Sequence, residues 1–145
     1  MTLPYLEPYL IRTMRLALTK TTDESVAAEI KQFIGQEAQH YKQHAKLNDI
    51  LRSLSPEFEG IRKIEEEMEA DYKRFTSTKS LKFNLAYAEG FEAMTCAVAR
   101  NELRYPSLFD DRDESNLELR RLFFWHLTEE VEHRTSTFNI YKHLY

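Results

Sequence analysis

WHLTEEVEH, residues 125–133, contains a Glu-x-x-His step, Glu130 to His133, with His126 one turn before it. QEAQH, residues 36–40, contains the same step, Glu37 to His40. Each lies in a stretch whose apolar residues recur every three or four positions, the spacing of one face of an α-helix. In the last helix the stripe runs Leu119, Leu122 and Phe123, His126, Glu130, His133, Thr137, then Ile140 and Tyr141. In an earlier helix it runs Ile30, Phe33, Glu37, His40, His44, Leu47 and Leu51. A third stripe takes Leu85, Ala88 and Glu89, Glu92, Cys96, Ala99 and Leu103. Each stripe is apolar at both ends and polar in the middle, so the polar residues stand where a core is expected.

Working outward, the remaining sequence also reads as helix. Pro4 and Pro8 open a first helix, expected to start around Leu6 to Pro8 because proline fits only the first turn. TTDES (21–25) starts a long second helix over about 23–54, and SPEFEG (55–60) turns the chain. A charged third helix is predicted over 61–75, on a solvated surface, because its many i,i+4 charge pairs suit water. TSTKS (76–80) breaks it, a fourth helix covers about 81–103, RYPSLFDDRDES (104–115) is a loop, and one continuous fifth helix covers about 116–145. No strand-like alternation is visible. The expected fold is all-α: a ferritin-like four-helix bundle of the first, second, fourth and fifth helices, with the third in the crossover connection. Residues 1–145 form a single domain in this reading.

Composition narrows the function. The chain has 145 residues, only three glycines and four prolines, and a formal charge of −4. There is no basic stripe for nucleic acid, no apolar run long enough to span a bilayer, and no signal-peptide order at the start. One cysteine excludes an internal disulfide, and Cys96 reads as a small core residue. The expected location is cytoplasmic.

A carboxylate left unpaired in a core costs several kcal/mol, and Glu37, Glu92 and Glu130 together would consume a typical domain stability of ~5–15 kcal/mol. The central layers of the stripes hold no Lys or Arg, so divalent cations are the expected partners. Glu at i and His at i+3 can reach one ion, and a Glu from each of two helices plus Glu-x-x-His from two others is the ligand set of carboxylate-bridged dinuclear bundles. The first helix offers only Glu7. The expected metal ligands are Glu7, Glu37, His40, Glu92, His126, Glu130 and His133, with Glu89 and His44 as additional candidates. Two divalent ions are implied, iron first, with manganese and zinc as alternatives. Glu129 and Glu132 are expected to face solvent, and Tyr41, Tyr87 and Tyr141 to pack. Arg134 is either a partner of a ligand carboxylate or a surface charge. Gly35 and Gly90, each two residues before a ligand Glu, point to close helix packing, a π-bulge or room for substrate.

FIGQEAQHYKQHAKLN (33–48), LAYAEGFEAMTCAV (85–98) and WHLTEEVEHRTSTFNIY (125–141) resemble a ferritin-like helical family labelled predicted metal-dependent hydrolase. The resemblance implies Glu37 and His40, Glu92 rather than Glu89, and His126, Glu130 and His133 as ligands. His126-x-x-x-Glu130-x-x-His133 is also similar to the last ligand helix of p-aminobenzoate N-oxygenase-type di-iron enzymes, which implies a third imidazole on the centre. Members of the hydrolase family extend further at both ends, which makes a homodimer, with a second copy completing the pocket wall, the candidate assembly. The leading functional expectation is a di-iron oxidoreductase that activates dioxygen to oxidise a small molecule. The alternatives are a metal-dependent hydrolase and a non-catalytic bundle that stores metal or binds a partner.

Overall fold

The computed structural model describes residues 3–106 and 117–145, and every regular element among them is helical. The helices are α1 (Leu3–Leu18), α2 (Glu24–Leu54), α3 (Ile61–Thr78), α4 (Leu81–Arg104), α5 (Leu117–Glu132) and α6 (Ser136–Leu144), with a 3-10 turn at Pro56–Gly60 between α2 and α3. The loop expected over 104–115 falls mostly outside the described residues. Among the described residues no helix is long and apolar enough to cross a membrane.

Local chemistry sets most boundaries. The Asp23 carboxylate accepts hydrogen bonds from the Ser25 and Val26 amides at 2.8 and 3.1 Å and starts α2. Ser80 Oγ does the same for α4 through the Phe83 amide at 3.1 Å. α1, however, begins at Leu3, with Pro8 inside it rather than in its first turn. A proline there removes one backbone hydrogen bond near a helix end, and burial of Leu6, Tyr9 and Leu10 offsets the loss.

The last helix is two helices. α5 ends at Glu132, residues 133–135 turn, and the Ser136 amide donates to the His133 carbonyl at 2.9 Å. Thr135, Ser136 and Thr137 are residue types of low helix propensity, which weakens helix here. The break lets α5 pack mainly on α4 while α6 packs on α4 and α2.

α1 packs against α2, α3 and α4. The fully buried apolar core gathers Leu6, Tyr9, Leu10, Met14 and Ala17 of α1 with Ile30 and Phe33 of α2, Leu85 and Ala88 of α4, and Ile140 of α6. α3 belongs to this core more than its charge suggested. Tyr72 is buried and stacks on Tyr9 at 4.9 Å, and Tyr9 donates to Asn84 Oδ1 at 2.8 Å. Beyond the core, α2 continues with buried Glu37, His40, His44 and Asn48, and α4 with Glu92, Cys96, Ala99 and Glu102. The stripes are thus sealed at one apolar end only: Leu47, Leu51, Leu119, Leu122 and Phe123 are half-buried and Leu103 is exposed.

Candidate metal centre

The polar middle of the stripes converges. α2 brings Glu37 and His40, α4 brings Glu92, α5 brings His126 and Glu130, the turn after α5 brings His133, and α1 brings Glu7. None of these residues is more than 5% exposed. Ligand atoms of Glu37, His40, Glu130 and His133 lie within 4.8 Å of one another, and so do those of Glu7, His40 and His126. The two sets share His40. Glu92 joins through Oε2, 2.8 Å from His133 Nδ1.

These groups satisfy one another only in part: His126 Nε2 and Glu130 Oε1 pair at 2.8 Å, but several of the others do not. Glu37 Oε1 stands 3.5 Å from both His40 Nδ1 and His133 Nε2, too far and too poorly aligned for a hydrogen bond. Glu92 Oε2 and His133 Nδ1 are close but misaligned, and neither has a hydrogen-bond partner. His126 Nδ1 and Glu7 Oε2 are likewise buried without one. Such atoms are rare in proteins and costly. Here they concentrate in one place, with lone-pair donors facing common points.

The charges acting on the carboxylates come from one another and from histidines. Burial, then Glu92 and Glu130, pushes Glu37 well above its usual range. Burial also raises Glu92, and it raises Glu7 to about 8 against the opposing pull of His126 and His40. Burial would raise Glu130 too, but the His126 hydrogen bond and charge, with His133 and Thr95, bring it down to about 2. Burial lowers His133, and Glu92, Glu130 and Glu37 outweigh it to give about 9. One other buried carboxylate shows the usual solution. Glu65 of α3, 2% exposed, takes Arg52 Nη1 at 2.8 Å and Asn48 Nδ2 at 2.9 Å. Among the described residues the electrostatic partners of Glu7, Glu37 and Glu92 are instead histidines and other carboxylates. The donor set, oxygen and imidazole in a dry site with unmatched lone pairs, fits divalent cations.

Several surroundings differ from expectation. Glu129 does not face solvent: it is partly buried, and its Oε2 lies 2.9 Å from His40 Nε2. The spacing carried that signal, since 129 is three after His126 and four before His133. His44 is fully buried and meets Glu7 Oε1 through Nδ1 at 2.5 Å, so it holds Glu7 and is not a surface group. Glu89 is half-buried and accepts a hydrogen bond from Thr137. Thr95, which sequence reasoning missed, donates to Glu130 Oε2 at 2.7 Å from one turn beyond Glu92. Arg134 is exposed and caps the Val131 carbonyl at 2.9 Å. Glu132 is exposed as expected, and Tyr41 is exposed too. A Cβ built on Gly35 or Gly90 meets nothing within 4 Å, so close packing does not explain either glycine, and neither lies in a π-helix.

Beside the centre, α2 and α5 splay apart around a groove of about 560 Å³. Leu47, Ile50, Leu119, Leu122 and Trp125 line it, with Lys46 and Arg121 among its polar residues. Trp125 packs edge-on against His40, ring centres 5.2 Å apart, and so separates the groove from the buried ligands.

A family model described as "Predicted metal-dependent hydrolase" matches residues 1–145, the whole chain. The protein belongs to that family. No curated protein and no solved structure gives a significant match. The buried Glu and His groups that can hold metal ions agree with a metal-dependent family.

Proposed function

We propose that this member of the metal-dependent hydrolase family is a single ferritin-like helical domain. In this reading Glu7, Glu37, His40, Glu92, His126, Glu130 and His133 hold two divalent cations, and the protein hydrolyses a small ester or phosphate. The observation that carries the reading is the collection of buried carboxylate and imidazole atoms with no hydrogen-bond partner, on carboxylates whose electrostatic partners are histidines and other carboxylates. Bound there, the cations would supply Lewis acidity, polarising a carbonyl or phosphoryl group and making water a stronger acid. The chain's own contribution is orientation. Thr95 fixes Glu130, His44 fixes Glu7, and Glu129 contacts His40 from the outer side. The α2–α5 groove has the volume of a small-molecule site. Its apolar lining suits an acyl or aryl group, and Lys46 suits an anionic end, while Arg121 is paired with Glu118 of the same lining at 2.8 Å.

Dioxygen activation by a di-iron form is the second reading. The near-complete burial of the candidate ligands favours it, because a diatomic gas enters where a bulky ester does not. Elemental analysis of protein purified without added metal, followed by two assays, separates the readings. Zinc- or manganese-loaded protein that cleaves aryl esters or phosphate esters, and loses the activity in Glu37→Gln, supports hydrolysis. Ferrous protein whose absorbance changes as air is admitted, with oxygen consumed, supports the di-iron reading. Tight metal binding with neither reaction leaves a storage or structural centre.

A further inference from the structure

We propose that Glu129 is a positioning residue: it holds the proton of His40 on Nε2 and so leaves Nδ1 free as a lone pair aimed into the centre. The inference rests on the reading that the centre binds cations. His40 is 0% exposed and stands between two sets of carboxylates. On the outer side Glu129 Oε2 lies 2.9 Å from Nε2 in hydrogen-bond geometry. On the inner side Nδ1 has Glu37 Oε1 at 3.5 Å and Glu130 Oε1 at 3.8 Å and makes no hydrogen bond.

A neutral imidazole carries one N–H, and the nitrogen that keeps it is the one whose acceptor is closer and better aligned. Glu129 Oε2 stands as an acceptor 2.9 Å from Nε2, so this contact places the proton on Nε2. The opposite tautomer would point an N–H at Glu37 and Glu130 and could not ligate. An outer carboxylate that orients a ligating histidine in this way also makes its imidazole more basic. Among the described residues the near carboxylates of His126 and His133 are Glu130 and Glu92, which belong to the centre itself. Among the three expected imidazoles the device therefore belongs to His40, which both ligand groups share. Glu129 can do this because its side chain, 22% exposed, bridges the surface and the fully buried ring.

Nitrogen NMR of metal-free protein with labelled histidine, together with zinc titration, tests the proposal. Native His40 is expected as the Nε2–H tautomer. Glu129→Ala should shift population to Nδ1–H and weaken zinc binding by about 10- to 100-fold, whereas Glu129→Gln, which keeps an acceptor, should stay within about threefold of native. The proposal is overturned if native His40 carries its proton on Nδ1, a result that needs no variant to fold. It is also overturned if Glu129→Ala keeps the native tautomer and affinity, or if Gln and Ala weaken binding equally. A native protein that binds neither zinc nor ferrous iron would refute the centre instead, and the tautomer would still be read separately.

Discussion

Glu7→Gln should have opposite effects with and without metal. Glu7 is 2% exposed, Oε2 has no partner, and burial pushes its pKa from 4.5 to about 8. In the metal-free fold it therefore keeps its proton at neutral pH, while the unfolded chain gives it up. For such a group stability is full below the unfolded pKa, 4.5, and falls as pH rises toward the folded value, about 8. Each unit is worth ~1.4 kcal/mol, so about 3 kcal/mol has gone by pH 7 and about 4 by pH 8. Glutamine cannot ionise, yet its carbonyl can accept the bond that joins Glu7 Oε1 to His44 Nδ1. Metal-free Glu7→Gln should then be about 3 kcal/mol more stable than native protein at pH 7, roughly 10 °C in Tm, and indistinguishable near pH 4. With metal present the order reverses, because a carboxylate ligand is lost. Urea unfolding in chelator and in saturating zinc, each from pH 4 to 8, measures both effects. A metal-free variant that is no more stable than native at pH 7, or whose advantage does not grow with pH, refutes the account of Glu7 as an uncompensated buried carboxylate.

Removing metal should lower stability by RT ln(1 + [M]/Kd), about 4 kcal/mol when free metal is a thousand times Kd, visible as a chelator-dependent drop in Tm. His133→Ala should reduce metal content, since its ring touches Glu92 and faces Glu37 and Glu130; elemental analysis showing unchanged stoichiometry would remove His133 from the ligands. Apparent affinity should rise with pH up to about 9, because raised Glu7, Glu37 and His133 must lose protons to ligate. Calorimetry in buffers of different ionisation enthalpy reads those released protons, and binding without proton release contradicts the shifts. Glu65→Ala should cost about 2 kcal/mol, because Arg52 loses one of two carboxylate partners and keeps Asp49, while leaving metal content unchanged because Glu65 lies outside the centre.

What the amino-acid sequence determined by itself was the all-helical class and the position of the polar layer. Both follow from periodicity, which is local: a side chain's face on a helix depends only on its distance from its neighbours. Glu37, His40, Glu92, His126, Glu130 and His133 were legible for that reason, because polar residues on an apolar stripe have nowhere to go but inward. Tertiary structure decided what spacing along one helix cannot express. The break at 133–135 depends on α6 finding a seat on α2 and α4, so a stretch with helical periodicity still turned. Tyr72 and Glu65 are buried because α3 lies on α1 and Glu65 bonds to Asn48 and Arg52 of α2, although α3's own charge pattern suits water. Glu129 reaches His40 across 89 positions of sequence, and Thr95 reaches Glu130 across 35. Those contacts exist only once separate helices pack, since which atoms meet is set by the rotation and separation of helices that no single stripe encodes.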